Sequence, residues 1–151
     1  MRVFHTLQDL AACVGQPVAT SDWVTITQAQ INQFAQATGD QQWIHVDVER
    51  ATAGPFGAPI AHGFLTLSLI PVFLESALRV EQSSMVVNYG LNKVRFIAPV
   101  RVNSRLRAQF ALAQVDAVDK GGVQLTWDVT LECEGAAKPV CAAQSLVRLY
   151  P

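Results

Sequence analysis

Two side chains five positions apart, Asp40 and His45, are the residues of this sequence best placed by type and spacing to do chemistry. They stand in the run Ala37-Thr38-Gly39-Asp40-Gln41-Gln42-Trp43-Ile44-His45-Val46-Asp47. A carboxylate takes a proton, and an imidazole that titrates near neutrality takes or gives one. A turn between them brings both onto one water, which is a general acid/base device. A second suggestive run, Ala61-His62-Gly63-Phe64-Leu65, opens an apolar segment. The unpartnered N–H groups of a helix start there carry a partial positive charge, which suits a developing oxyanion.

The elements around these residues are readable. Thr27 and Gln30 form a capping box, and Ile31, Phe34, Ala35 and Thr38 repeat at helical spacing. Gly39 tolerates left-handed backbone and stops that helix, so Asp40 falls just beyond its end. Asp47 caps a short helical turn through Ala51, and Ala53 to Pro59 is loop by composition. His62 to Val80 reads as one long helix, apolar nearly all round and therefore buried, with a kink at Pro71. Upstream, Leu7 to Val14 reads as a short helix stopped by Gly15, and Ser21 to Ile26 as a strand. Met85 to Ile97, Asn103 to Val118, Val123 to Glu134 and Val140 to Tyr150 read as strands, with Gly121-Gly122 turning a hairpin. Alternation of Leu125, Trp127, Val129 and Leu131 with Thr126, Asp128, Thr130 and Glu132 gives one buried and one wet face. The expected fold class is α+β, an antiparallel meander curled round a long central helix.

The chain of 151 residues makes a single domain, 1–151, with room for a real core. Half its residues are hydrophobic and only 15% are charged, which calls for cover by another subunit. A net charge of -1 without basic runs argues against nucleic acid as partner. No apolar run spans a bilayer, and the first residues lack a signal peptide's pattern, so neither membrane nor export is expected. Cys13, Cys133 and Cys141 are an odd set without CxxC, which fits reduced thiols in a cytoplasm. Cys133 and Cys141 fall on strands that could set them face to face. No His/Cys/Asp cluster has metal-ligand spacing, and no glycine-rich phosphate cradle is present.

The motifs in this order resemble those of the MaoC-like dehydratase family, which includes the (R)-specific enoyl-CoA hydratases. The family's Gly-Asp-x-Asn-Pro-aliphatic-His appears as Gly39-Asp40-Gln41-Gln42-Trp43-Ile44-His45, with Gln42 and Trp43 replacing Asn and Pro. Asp-x-Gln-Trp-Ile-His-Val-Asp is similar to the nodulation-protein-N-like branch. His62-Gly63 matches the family's His-Gly at the start of the central helix, and Arg95-Phe96-x-x-Pro99-Val100 its strand motif. The resemblance implies a hot-dog fold and reversible hydration of trans-2-enoyl thioesters to (3R)-hydroxyacyl thioesters. It implies catalytic roles for Asp40 and His45 on one water, and for the Gly63 N–H as oxyanion donor. It implies a homodimer and no cofactor beyond the CoA or acyl-carrier-protein part of the substrate.

A serine often found two turns into the central helix of the (R)-hydratases is Pro71 here, with Ser68 nearby. A thioesterase or a non-catalytic acyl-binding subunit therefore stands as the alternative, since one scaffold hosts several chemistries. His62 is a candidate second site residue or a packing histidine. Trp43, Phe56 and Phe96 are candidates for lining an acyl pocket or for plain core. Lys93 and Arg95 suit either CoA phosphates or a solvated strand face. His5, Trp23 and Trp127 take structural readings only.

Overall fold

In the computed structural model, which describes residues 1–151, the chain runs β1 (Arg2–Phe4), α1 (Leu7–Ala11), β2 (Gln16–Thr20), β3 (Val24–Thr25) and α2 (Gln28–Thr38). It continues through α3 (Trp43–Val46), α4 (Val48–Thr52), α5 (Gly63–Ser68), α6 (Ile70–Ala77) and β4 (Leu78–Val80). Four long strands follow: β5 (Met85–Phe96), β6 (Arg105–Ala117), β7 (Val123–Cys133) and β8 (Cys141–Tyr150).

A six-stranded sheet has the order β2-β6-β7-β8-β5, with β3 also on β6. The long strands pair antiparallel, β6 with β7, β7 with β8 and β8 with β5. The expected meander holds for β6, β7 and β8. β5 departs from it, pairing not with the next strand in sequence but beyond β8, where it closes one edge. β1 pairs in parallel with β4, tying the chain start to the end of α6.

Alternation decides which face is dry. Leu106, Ala108, Phe110 and Leu112 of β6, Leu125, Trp127, Val129 and Leu131 of β7, and Cys141, Ala143, Val147 and Leu149 of β8 are buried. The helices supply the facing layer, with Ile31 of α2, Leu65 of α5, and Ile70, Phe73 and Ala77 of α6 in the same core. Burying each large apolar side chain contributes about 1.5–3 kcal/mol, so this layer packing dominates the fold's stability.

The expected long helix is not continuous. It is α5 and α6, separated at Leu69, followed by strand where helix was expected to reach Val80. The break falls two residues before Pro71, which sits in the first turn of α6. There its missing N–H costs nothing, because first-turn N–H groups have no intrahelical partner. Nor is the segment buried all round, since Phe64 and Val72 are exposed.

Smaller expectations also shift. The first helix ends at Ala11 and turns on to Gly15, and the strand expected over Ser21 to Ile26 shrinks to Val24–Thr25. Cys133 and Cys141 do not face each other: Cys141 pairs with Leu131, and Cys133 with Leu106 on the other side of β7. All three cysteines are free, and burial pushes the Cys141 thiol pKa up.

Candidate active site

The end of α2 sets the position of Asp40. Thr27 and Gln30 close the capping box, and Gly39 ends the helix at φ 82°. The chain turns sharply, and the Asp40 carboxylate accepts a hydrogen bond from the Gln42 backbone N–H at 3.4 Å. That bond is the local Asx geometry open to any Asp after a helix stop. The side chain is exposed, and its oxygens keep capacity for a further donor.

α3 then carries His45 inward. Its backbone carbonyl is held by Gln28 of α2, whose side-chain amide donates at 2.8 Å. Its ring meets Pro59 to Ala61, a strap fixed on both sides. The Ile60 N–H donates to the Ile44 carbonyl at 3.0 Å, and the Ala61 N–H to the Val100 carbonyl at 2.8 Å. His45 Nδ1 lies 2.7 Å from the Ile60 carbonyl oxygen. A carbonyl only accepts, so Nδ1 carries the proton and Nε2 presents a lone pair. The ring is 6% exposed. Burial is the main reason its pKa lies below the ordinary histidine value; the Ile60 carbonyl opposes that shift, and the neighbouring His62 adds to it.

His62 completes the cluster. Its ring stacks on His45 with centroids 3.8 Å apart and planes 24° apart, and Phe34 of α2 lies against it at 4.9 Å. Its Nε2 donates to the Asp40 backbone carbonyl at 2.9 Å, which ties the Asp40 turn to the start of α5. Its Nδ1 is buried without a partner. One donor atom from each of Asp40, His45 and His62 falls within 4.8 Å of the others. As a metal site this set has a poor shape. A histidine binds metal in its ring plane at about 2.0–2.1 Å, and an ion in the plane of one stacked ring lies well out of the other. A water bridging the Asp40 carboxylate and the His45 ring alone needs only one ring plane.

Gly63, the first residue of α5, follows directly. A Cβ there would lie 2.9 Å from the Phe96 ring, so the ring packs onto bare backbone. His45, Gly63, Thr66 and the Phe96 to Val100 segment line a cavity of about 250 Å³. Thr66 is a residue that sequence reasoning missed. It is buried one turn after Gly63 on the same helix face, and its hydroxyl donates to the His62 carbonyl at 3.4 Å. Its spacing of three from Gly63 was the available signal. Gln28 was also missed, and nothing in the sequence relates it to a residue seventeen positions on.

Asp40, His45, His62 and Gly63 are thus brought together, with Phe96 beside them. Two of the candidates for pocket walls are elsewhere. Trp43 packs under the Arg50 guanidinium at 4.3 Å and against Gly54, and is absent from the cavity beside His45. Phe56 is half-buried in the loop before the strap and does not line that cavity either. The Trp43 side chain serves the α3–α4 corner. Ser68 donates to the Leu65 carbonyl at 2.7 Å and, with Pro71, lines a separate groove of about 610 Å³. Lys93 and Arg95 are exposed on β5.

The sequence pattern of the MaoC like domain matches residues 9–132 of the chain. The chain belongs to the MaoC-like domain family. Over 148 residues it is 56% identical to 3-hydroxyacyl-thioester dehydratase Z of Mycobacterium tuberculosis strain ATCC 25618 / H37Rv, covering 98% of each protein. It is 45% identical over 140 residues to nodulation protein N of Rhizobium meliloti strain 1021, covering 91% of this chain and 87% of that one. In fold it resembles the MaoC-like dehydratase from Rhodospirillum rubrum, at a TM-score of 0.77 and 21% identity over 97% of each chain. The MaoC-like domain here therefore has the hot-dog fold of the α+β class. The relative at 56% identity is named as a dehydratase.

Proposed function

We propose that this MaoC-like protein reversibly hydrates trans-2-enoyl thioesters to (3R)-hydroxyacyl thioesters. The observation that carries the reading is the meeting of the Asp40 carboxylate and the His45 imidazole beside the first residue of α5. In the forward direction Asp40 takes a proton as the water oxygen bonds to C3. Neutral His45 holds the same water through Nε2, because its Nδ1 proton is committed to the Ile60 carbonyl. The electron pair of the C2=C3 bond moves toward the thioester carbonyl, and the Gly63 N–H donates to the oxygen that gains charge. The proton then returns to C2 through the His45 side of the pair. One water is added and nothing is left over. Positioned acid/base groups contribute about 10²–10⁴-fold, and one oxyanion donor about 10²–10³-fold.

The (3R) outcome rests on the resemblance to the (R)-specific hydratases. The acyl thioester, on CoA or acyl carrier protein, is the substrate, and the chemistry calls for no metal or redox cofactor. We also assign a homodimer joined along β5, supported by that strand's exposed apolar residues at the sheet edge. The proposed location is the cytoplasm, supported by three free thiols. No helix is long and apolar enough to cross a membrane.

Crotonyl-CoA tests the reading directly. Loss of its enone absorbance, with one equivalent of 3-hydroxybutyryl-CoA of (R) configuration, is the expected result. Release of free thiol without loss of the enone would make the protein a thioesterase, and neither change would make it a binding subunit.

A further inference from the structure

His62 is the N-cap residue of α5, yet its side chain makes no hydrogen bond to that helix. The helix holds only its backbone, since the Thr66 N–H donates to the His62 carbonyl at 3.2 Å. The ring turns instead toward the end of α2, packed between Phe34 and His45. From there Nε2 donates to the backbone carbonyl of Asp40 at 2.9 Å.

Asp40 has weaker ties within its own turn. Its N–H donates to the Thr38 hydroxyl, and its carboxylate accepts from the Gln42 N–H, each at 3.4 Å. Well-made N–H···O bonds span about 2.7–3.2 Å, so both local bonds are long. The residue is also exposed. The His62 bond is of ordinary length and comes from a ring that is 2% exposed. A donor on a buried, packed ring is a firmer anchor than an exposed turn. The anchored peptide carries the proposed base, and the anchoring residue directly precedes Gly63, the proposed oxyanion donor.

Packing alone does not account for histidine at this position. Nδ1 is buried without a partner, and a buried polar atom left unsatisfied costs about 1–3 kcal/mol. A phenylalanine would stack on His45 without that cost, but also without the bond to Asp40. Nor does so buried a ring offer a substrate much surface to touch.

We propose that His62 is a positioning residue: its Nε2–H fixes the Asp40 turn against the start of α5 and so keeps the Asp40 carboxylate aimed at the water held by His45. It acts through Asp40 and sets the base at a fixed distance from the Gly63 N–H. This rests on the hydratase reading and deepens it.

Two variants of the purified protein separate the donor from the ring. His62→Phe keeps the stack and removes the donor, and should lower kcat for crotonyl-CoA about tenfold or more with KM little changed, as misplacement of a reacting group does. His62→Gln loses the ring and keeps an N–H donor at a similar reach, and should recover part of that loss. Packing as the sole role predicts the reverse order. In the Asp40→Asn background His62→Phe should cost almost nothing further, because residues acting through one group do not add. A His62→Phe protein as active as wild type, a His62→Gln protein worse than His62→Phe, or an equal loss in both backgrounds overturns the proposal. Nuclear magnetic resonance on the wild-type protein gives a further reading that needs no variant to fold. The vicinal Hα–Hβ couplings of Asp40 should be those of one staggered rotamer, and averaged couplings overturn the proposal. If the wild-type protein does not hydrate crotonyl-CoA, the hydratase reading fails by itself. The same couplings then decide the positioning role, staying resolved in wild type and averaging in His62→Phe if it holds, and being unchanged by the substitution if it does not.

Discussion

At the residue scale, the proposed mechanism puts Asp40 and His45 on one water, and that has a kinetic signature. Asp40→Asn keeps the Asx geometry and removes the base, while His45→Gln removes the titrating ring. Each should lower kcat by about two decades or more in a folded protein. Combined, they should cost little more than the worse one alone, since both act on a single proton transfer. Circular dichroism and crotonyl-CoA turnover measured on all three proteins check this. Full additivity would assign the residues to separate steps.

The pH dependence follows from the same bonds. Burial lowers the His45 pKa below its ordinary value of about 6.5, and the proposed mechanism uses the neutral ring. Activity is therefore present above the folded pKa and lost as pH falls through it, so the His45 limb of the kcat profile should lie on the acid side of 6.5. The stability effect has the same sign. Below about 6.5 the unfolded chain binds a proton that the folded ring resists. This contribution is whole above that pH and is lost as pH falls toward the folded pKa. Denaturant melts of wild-type and His45→Gln protein across this window should converge on acidification, and parallel curves would show that His45 is not the group responsible.

At the element scale, Gly39 offers a controlled experiment. Gly15 and Gly39 share φ 82°, and a Cβ at either meets nothing within 4 Å. Alanine at each should cost about 1 kcal/mol for the left-handed backbone, measured by urea unfolding. Only Gly39 precedes the carboxylate proposed as the base, Asp40, so only Gly39→Ala should also lower kcat. Equal kinetic losses would mean that the turn does not aim Asp40.

The same elements show what a linear reading reaches. Capping of α2, its Gly39 stop, the Asp47 cap and the long strands were legible because each depends on neighbours in the chain. What failed depends on contacts far along it. Composition shows an apolar run from His62 to Val80 but not that its last residues pair with β1. Trp43 looks like a pocket wall by type, yet it packs under Arg50. Gln28, which holds His45 in place, and the His62 bond to Asp40 are long-range contacts with no local pattern.

At the scale of the whole molecule, the unresolved demand is β5. It ends the sheet, and Met85, Val86, Val87, Tyr89, Leu91 and Phe96 are exposed along it. A long apolar edge strand invites pairing with another strand, and proteins cover, charge or pair such edges. A second copy presenting the same antiparallel edge would pair it and bury those side chains. Asn88, Tyr89, Gly90 and Leu91 of this strand also line the 610 Å³ groove, whose Phe34 wall packs against His62. A partner along β5 would close that groove as well, and dissociation should then weaken substrate binding and stability together. Light scattering should give twice the monomer mass. Across a dilution series, specific activity and melting temperature should fall at the concentration where the mass halves. A stable monomer with undiminished specific activity would show that β5 is an open edge and that one chain makes the whole site. Val87→Lys, near the start of the edge strand, should move the mass transition to higher concentration and carry the activity transition with it.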